Sequence, residues 1–358
     1  MRVAIVNDLS IATEALRRLL MEMPGVQIAW TARDGAQAVA AAARDRPDLI
    51  LMDIVMPVMD GADATRAIMR DCPCPIVVVT ASVGANADRV FEALSSGAID
   101  ATETPTIGDG AGPARDMLRR KIEQVRRLRQ SKSPAGAASV PGSAANAASA
   151  AASRPCPPPP GTRSDPGLRV ALIGVSTGGP QALAAVLSSL PRDFPFAIVA
   201  VQHLDAGFVP GLVTWLARET GRQVEPAICG AVARAGVLSI AFGNEHLLLR
   251  AGARFGATPD PADAIHRPSV DVLFHSAVTS MLRPFAAALL TGMGHDGADG
   301  LLALRRAGWH TIAQDRATSV VWGMPGAAVK LEAATVTLPI TQVGPDLMRL
   351  AAREADKN

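Results

Sequence analysis

A chain of 358 residues is long enough for about two domains, on a prior of ~150 residues each, with sizeable cores. Its 35 Lys and Arg against 33 Asp and Glu leave a net charge of +2, which gives no ground for a nucleic-acid partner. Aromatic residues make up 3% and tyrosine is absent, against stacking surfaces for carbohydrate or single-stranded nucleic acid.

The N-terminus, MRVAIVNDLS, runs straight into a strand pattern, so no leader is expected, and no apolar run reaches the ~18 residues of a membrane helix. A cytoplasmic protein without membrane insertion is expected. Val3–Val6 reads as a buried strand, and Ile11–Met23 as a helix with Ile11, Ala15, Leu16, Leu19, Leu20 and Met23 on one face. Val26–Thr31 is a second strand and Gly35–Arg44 a second helix. Asp48–Ile54, Ile76–Thr80 and Ala98–Ala101 are further strands between helical stretches. This alternation implies a parallel doubly wound sheet, because parallel neighbours need crossover helices. Ligands in such sheets sit at the carboxyl ends of strands, where the strand order reverses. Asn7 and Asp8 end the first strand, Asp53 the third and Thr80 the fourth. Any one aspartate there fits a helix cap. Two carboxylates converging on one edge would instead hold a hard divalent cation such as magnesium. The cysteines (Cys72, Cys74, Cys156 and Cys229) lack zinc-type spacing and read as reduced structural thiols.

Ala114–Gln130 reads as an Arg-rich helix closing the first domain, its charges a solvated face or, as the alternative, a docking surface. The Ala/Ser/Pro/Gly-dominated stretch that follows contains Pro157–Pro160 and cannot bury a core, so it reads as a flexible linker with one stiff section. The expected limits are 1–130 for the first domain, 131–167 for the linker and 168–352 for the second domain.

From Leu168 the alternation resumes. Val170–Val175 precedes helix Gly179–Ser189, and Ala197–Gln202 precedes helix Gly207–Glu219. A β-rich stretch, Gly236–Arg250, is expected to form a hairpin through Gly243-Asn244. Helix Val270–Met281, strand Ala286–Leu290, helix Gly297–Ala307 and strand His310–Ala313 complete a second mainly parallel sheet. The fold class is therefore α/β, with two doubly wound domains. Gly174, Ser176 and Gly178 satisfy G-x-S-x-G, a sharp strand-to-helix turn that lifts a serine hydroxyl clear of its sheet. A phosphate-binding turn or a tight βα connection also fits that stretch. His203 ends the next strand, and Asp296 follows the later strand Ala286–Leu290. Singly, His203 fits a hydrogen-bonded core histidine and Asp296 a helix cap. Together on one sheet edge they favour a Ser-His-Asp triad, in which histidine takes the serine proton and aspartate holds the tautomer. The order Ser176, His203, Asp296 differs from the Ser, Asp/Glu, His of α/β-hydrolases. His295 and His310 keep that alternative open, each without a matching acid.

The run from Asp53 to Gly61, DIVMPVMDG, resembles the phosphoacceptor motif of two-component receiver domains, and the resemblance covers the first domain. It implies a flavodoxin-like fold and phosphoryl transfer from a histidine kinase to Asp53. It further implies magnesium held by Asp8, Asp53 and the Val55 carbonyl, with Thr80 as the hydroxyl that swings to the phosphate. Two positions depart from the pattern: Asn7 stands where a second acid is usual, and Thr104, before Pro105, where a lysine is usual. Weaker metal binding and slow or weak phosphorylation are expected. The segments GVSTGGPQAL, QHL, HRPSVDVLFHSA, LLTGMGHDGADG and QDRATSVVWGMPGAA resemble the CheB catalytic domain over Val170–Ala334. A receiver followed by this domain is the CheB arrangement. The resemblance implies hydrolysis of glutamate γ-methyl esters on methyl-accepting chemoreceptors, with glutamine deamidation as a secondary activity. Ser176 would be the nucleophile, His203 the base and Asp296 its orienter. The Met293 amide would serve the oxyanion and Thr177 would shape the pocket. Arg267 would line the substrate groove, unless it forms a structural salt bridge. A monomer is expected, with no cofactor for the esterase step and with a receiver that blocks the site until phosphorylated. VNDLS and DATETP most resemble the Wsp-type, surface-sensing branch.

Overall fold

The computed structural model describes residues 1–81, 86–106, 112–131, 168–264 and 266–355. The chain divides into two compact units, Met1–Ala148 and Ser149–Asn358. Residues 132–167 of the expected linker lie outside the described residues.

In the first unit β1 (Arg2–Val6), α1 (Ser10–Met21), β2 (Gln27–Ala32), α2 (Gly35–Arg44), β3 (Leu49–Met52), α3 (Gly61–Asp71), β4 (Ile76–Thr80), α4 (Ala87–Ser95), β5 (Asp100–Glu103) and α5 (Pro113–Ser131) alternate along the chain. The sheet order is β2-β1-β3-β4-β5, with parallel pairing throughout. Strands β3 and β4 are buried along their whole length, as a sheet covered by helices on both faces requires. Strand β5 starts two residues later than expected. Gly97, at φ +110°, completes the turn after α4, and pairing with β4 begins at Asp100 opposite Val77. The chain leaves β1 for β2 on one side and returns to β3 on the other, so Asn7 and Asp8 come out beside Asp53. Asp60 caps α3 by accepting from the N–H groups of Ala62 (3.0 Å) and Asp63 (2.9 Å). Only glycine fits at Gly61, because a Cβ there would lie 1.9 Å from the Asp53 carbonyl oxygen.

The second unit runs β6 (Val170–Val175), α6 (Gly179–Ser188), β7 (Ala197–Gln202), α7 (Val209–Thr220), β8 (Val224–Pro226), β9 (Leu238–Ile240), β10 (His246–Arg250), β11 (Arg254–Thr258), α8 (Val270–Thr279), β12 (Ala286–Leu289), α9 (Ala298–Arg306), β13 (His310–Gln314), α10 (Met324–Lys330), β14 (Val336–Leu338) and α11 (Ile340–Ala355). Seven strands form a parallel sheet in the order β14-β13-β12-β6-β7-β9-β8. The order reverses between β6 and β12, which brings the loops after those strands together. Leu172, Val199, Ala287 and Leu289 of the sheet pack with Leu273, Phe274, Leu301 and Leu304 of α8 and α9.

No hairpin forms through Gly243-Asn244. Strand β9 stays in the parallel sheet, and β10 turns at residues 251–253 to pair antiparallel with β11. Gly252, at φ +68°, supplies the left-handed residue that this reversal needs. Cys72 and Cys74 are not disulfide-bonded, whereas Cys229 is, against the expectation of reduced cysteines. Cys156 lies outside the described residues. Among the described residues no helix is long and apolar enough to cross a membrane.

Candidate active site

Ser176 leaves the end of β6 with its backbone held from three sides. Its N–H donates to the Thr291 carbonyl (3.0 Å), and its own carbonyl accepts from Gly179 N–H (2.7 Å) and Gln202 Nε2 (3.0 Å). The same Gln202 amide reaches the His203 carbonyl (3.0 Å), so one buried side chain ties the two turns together. Thr291, also buried, donates through Oγ1 to the Thr177 carbonyl (3.0 Å) and accepts from Val321 N–H (3.0 Å). Gly178 adopts φ +75°, which lets the chain turn directly into α6. Ser176 is only 7% exposed.

His203 follows β7, and its N–H donates to the Val175 carbonyl (3.1 Å), beside the serine turn. The imidazole Nε2 lies 2.8 Å from Asp296 Oδ2. A carboxylate acceptor there fixes the proton on Nε2 and leaves the Nδ1 lone pair free; Nδ1 is buried without a partner. The ring stacks on His266, with centroids 4.2 Å apart and planes 11° from parallel. Among the described residues no hydrogen bond joins Ser176 Oγ to His203.

Asp296 is met by the start of α8. Its Oδ1 accepts from Ser269 Oγ (2.7 Å) and Asp271 N–H (3.1 Å), and its Oδ2 from Val270 N–H (2.8 Å). A helix N-terminus presents unpaired N–H groups and the positive end of the helix dipole, which favours an anion. Burial by itself would raise this carboxyl. The bond to His203, its charge, and the Val270 and Ser269 donors outweigh burial and hold Asp296 well below the usual carboxylate range. Behind Ser269, the buried His246 accepts from Ser269 N–H through Nδ1 (3.0 Å), and burial keeps this imidazole below its ordinary value.

The expected site residues are distributed as follows. Ser176, His203 and Asp296 share the carboxyl edge of one sheet. Thr177 is buried beside Ser176. Met293 is half-buried in the loop after β12. Gly292 lies against Ser176, since a Cβ on it would fall 2.7 Å from Ser176 Cβ. Its carbonyl accepts from Gly323 N–H (3.0 Å) and Met324 N–H (2.9 Å) at the start of α10. In a trans peptide the next N–H points the opposite way, so Met293 N–H faces away from α10. Arg267 is exposed, and among the described residues it forms no ion pair. His310 begins β13, at the opposite edge from Ser176, and pairs with Asp346 (2.7 Å); His295 is exposed. The hydrolase-order alternative therefore has no histidine in place. The sequence reading missed Gln202, Thr291, His266 and the Ser269–Asp271 turn as members of this site. A serine before an apolar helical run was the available signal for the last.

In the first unit Asp53 is buried. Asn7 Nδ2 donates to its Oδ2 (2.9 Å) and Ile54 N–H to its Oδ1 (2.7 Å). Burial pushes Asp53 from 3.8 up to about 6, and the charge of Asp8 adds to this, against the Ile54 and Val55 N–H groups. Thr80 is buried at the end of β4, and its carbonyl accepts from Thr104 N–H (3.0 Å). Thr104 Oγ1 is buried without a partner. The one buried lysine among the described residues, Lys121, pairs with Asp100 (2.6 Å) at the opposite end of β5 and so does not replace a cation at Thr104.

The response regulator receiver domain family matches residues 3–105, and the CheB methylesterase family matches residues 171–347. The chain is 47% identical to protein-glutamate methylesterase/protein-glutamine glutaminase 2 of Cupriavidus metallidurans, over 97% of this chain and 98% of that one. It is 45% identical to protein-glutamate methylesterase/protein-glutamine glutaminase 4 of Burkholderia thailandensis, over 100% and 99%. Among solved structures it is similar to the CheB methylesterase catalytic domain of Thermotoga maritima, with 34% identity over 51% of this chain and 98% of that chain and a TM-score of 0.49. With its receiver and methylesterase regions in that order, the chain belongs to the CheB family of protein-glutamate methylesterases/protein-glutamine glutaminases.

Proposed function

We propose that the protein hydrolyses glutamate γ-methyl esters on methyl-accepting chemoreceptors under control of receiver phosphorylation, with Ser176 as nucleophile. The observation that carries this reading is the buried His203 ring, anchored through Nε2 to a charged Asp296 and carrying a free Nδ1 on the edge that bears Ser176. Nδ1 takes the serine proton as Oγ attacks the ester carbonyl, and the Asp296 charge stabilises the imidazolium. Met293 N–H, turned away from α10, stabilises the tetrahedral oxyanion. The imidazolium then gives its proton to the departing methoxy group, and methanol leaves an acyl-serine. Water, deprotonated by Nδ1, attacks that acyl group and releases free glutamate and Ser176. The same steps on a glutamine side chain expel ammonia, in keeping with the glutaminase activity in the relatives' names. The missing Ser176–His203 hydrogen bond is one that forms as substrate closes the site, since catalytic bonds are commonly long in free enzymes. Thr177 and the exposed Arg267 flank this edge and contact the receptor helix.

Asp53 is the phosphoacceptor for a histidine kinase. The carboxylates of Asp8 and Asp53 and the Val55 carbonyl form an all-oxygen donor set, which fits magnesium. Magnesium, when bound, offsets phosphate charge during phosphoryl transfer. Thr80 is placed at the end of β4 to meet the phosphate. Methanol release from methylated receptor, with and without a phosphodonor, tests the reading. Wild type releases methanol, faster with phosphodonor, and Ser176→Ala releases none above background. An equal rate for Ser176→Ala removes Ser176 from the chemistry.

A further inference from the structure

Asp296 has a carboxyl neighbour that the hydrolytic sequence above does not use. Asp271 sits in the first turn of α8. Its N–H donates to Asp296 Oδ1 (3.1 Å), its Oδ1 accepts from Gly300 N–H (2.7 Å), and its carboxyl is within hydrogen-bond reach of the Asp296 carboxyl. We propose that Asp271 is a positioning residue: a neutral carboxylic acid whose O–H donates to Asp296 and keeps the pair's single negative charge on the carboxylate that serves His203. The proposal rests on the Ser176–His203–Asp296 reading.

Two carboxyls in contact away from water do not both ionise, because each charge raises the cost of the other. Donors decide which one keeps the proton. Asp296 collects His203 Nε2, Ser269 Oγ and the N–H groups of Val270 and Asp271, whereas the Asp271 carboxyl accepts from backbone N–H groups of the α9 start only. The charge therefore settles on Asp296. Burial and the Asp296 charge push Asp271 above the usual carboxylate range, and Asp296 moves the other way. The ionisable groups on the surrounding elements leave this assignment intact. On α8, His275 places Nδ1 against the Asp271 carbonyl and Nε2 against Asp299 of α9. Arg267, before α8, is exposed, and its charge acts on His246 of β10. None of these four groups forms an ion pair or hydrogen bond with the Asp271 carboxyl. His203 spends Nε2 on Asp296 and stacks on His266.

A protonated Asp271 gives Asp296 one more fixed donor and no competing charge. The carboxylate then stays turned toward His203 as the imidazolium forms. Loss of that proton at alkaline pH sets two carboxylates against each other and turns Asp296 away, so turnover falls as pH rises through the Asp271 value.

The test uses the full-length chain in the methanol-release assay from neutral to alkaline pH, with infrared spectra of the protonated-carboxyl C=O stretch at neutral pH. Asp271→Ala is expected to lower kcat roughly ten- to hundredfold with KM little changed, and Asp271→Asn, which keeps a donor, to recover most of that loss. Asp271→Asn also abolishes the alkaline decline. A carboxylic-acid band present in wild type and in Asp53→Asn disappears in both Asp271 variants. Survival of that band in Asp271→Asn overturns the proposal, and so does an Asn variant as slow as Ala that keeps the alkaline decline. The infrared readout needs no turnover, so it stands even if the alanine variant folds poorly. A Ser176→Ala enzyme with the wild-type rate would instead sink the hydrolytic reading and leave the proton assignment in place.

Discussion

Asp53 and Asp296 occupy the same place in two sheets of one design, the carboxyl edge where strand order reverses, and their surroundings drive them in opposite directions. Asp53 is buried with one side-chain amide and backbone N–H groups as donors, next to the like charge of Asp8, and it is pushed up to about 6. Asp296 is largely shielded too, yet a histidine, a hydroxyl and a helix N-terminus converge on it and hold it below the usual range. The difference separates two uses of a carboxylate. On the proposed function, an under-compensated one awaits a cation and a phosphoryl group. On the same reading, a fully compensated one is a lasting charge that orients a neighbouring histidine and does not itself react.

The largest effect expected from breaking this contrast lies at Asp296. Asp296→Asn keeps the shape but replaces an oxygen acceptor with an NH₂ donor facing His203 and removes the charge. The imidazole then prefers the tautomer with its proton on Nδ1, and kcat is expected to fall on the order of 10⁴-fold. Methanol release at saturating receptor measures it. A loss of less than about tenfold would mean that the α8 turn holds a structural carboxylate and not a catalytic one.

Ser269→Ala probes the same cradle more gently. It deletes the hydroxyl donated to Asp296 and the cap of α8, whose Oγ also accepts from Val272 N–H. Losing one donor to a buried charge is expected to lower kcat roughly ten- to hundredfold, and losing the cap to cost about 1 kcal/mol of stability. Asp34→Ala is the control. Asp34 caps α2 in the first unit without touching Asp53, so thermal unfolding should shift by a similar amount while phosphorylation of Asp53 is unchanged. Equal kcat in wild type and Ser269→Ala would reduce Ser269 to a cap.

The two sites were not equally legible in the sequence. Strands buried on both faces announce themselves as short apolar runs bounded by polar residues. The limits of β4, β6, β7 and α2 follow from the sequence to the residue, and with them the positions of Ser176 and His203 at strand ends. The Asp296 cradle was hidden for a physical reason. Three of its donors come from a turn about 26 residues earlier, and two are backbone N–H groups that any amino acid supplies. Gln202 was in view within the QHL segment, but only the fold shows that its amide spans the serine and histidine turns. The misplaced hairpin has a similar origin. Gly243-Asn244 and Ala251-Gly252 are both plausible reversals locally, and tertiary pairing of β10 with β11 chooses between them.

At the receiver edge the comparison can be sharpened by restoring a cation. Thr104 directly follows β5, its N–H held by Thr80 and its hydroxyl buried without a partner, while Lys121 spends its charge on Asp100 at the other end of the strand. Asn7 is neutral as well, and its amide already occupies one Asp53 oxygen. The described side chains around Asp53 thus supply no full positive charge to offset an incoming phosphoryl group. Thr104→Lys places an ammonium on that edge. A charge within about 4 Å of the acceptor, at the effective dielectric of a partly buried site, speeds acetyl-phosphate labelling of Asp53 on the order of tenfold. Labelling kinetics in saturating magnesium measure this directly. If wild type labels as fast as the lysine variant, the Asn7 amide and the metal already neutralise the phosphate, and Asp53 is as well compensated when loaded as Asp296 is at rest.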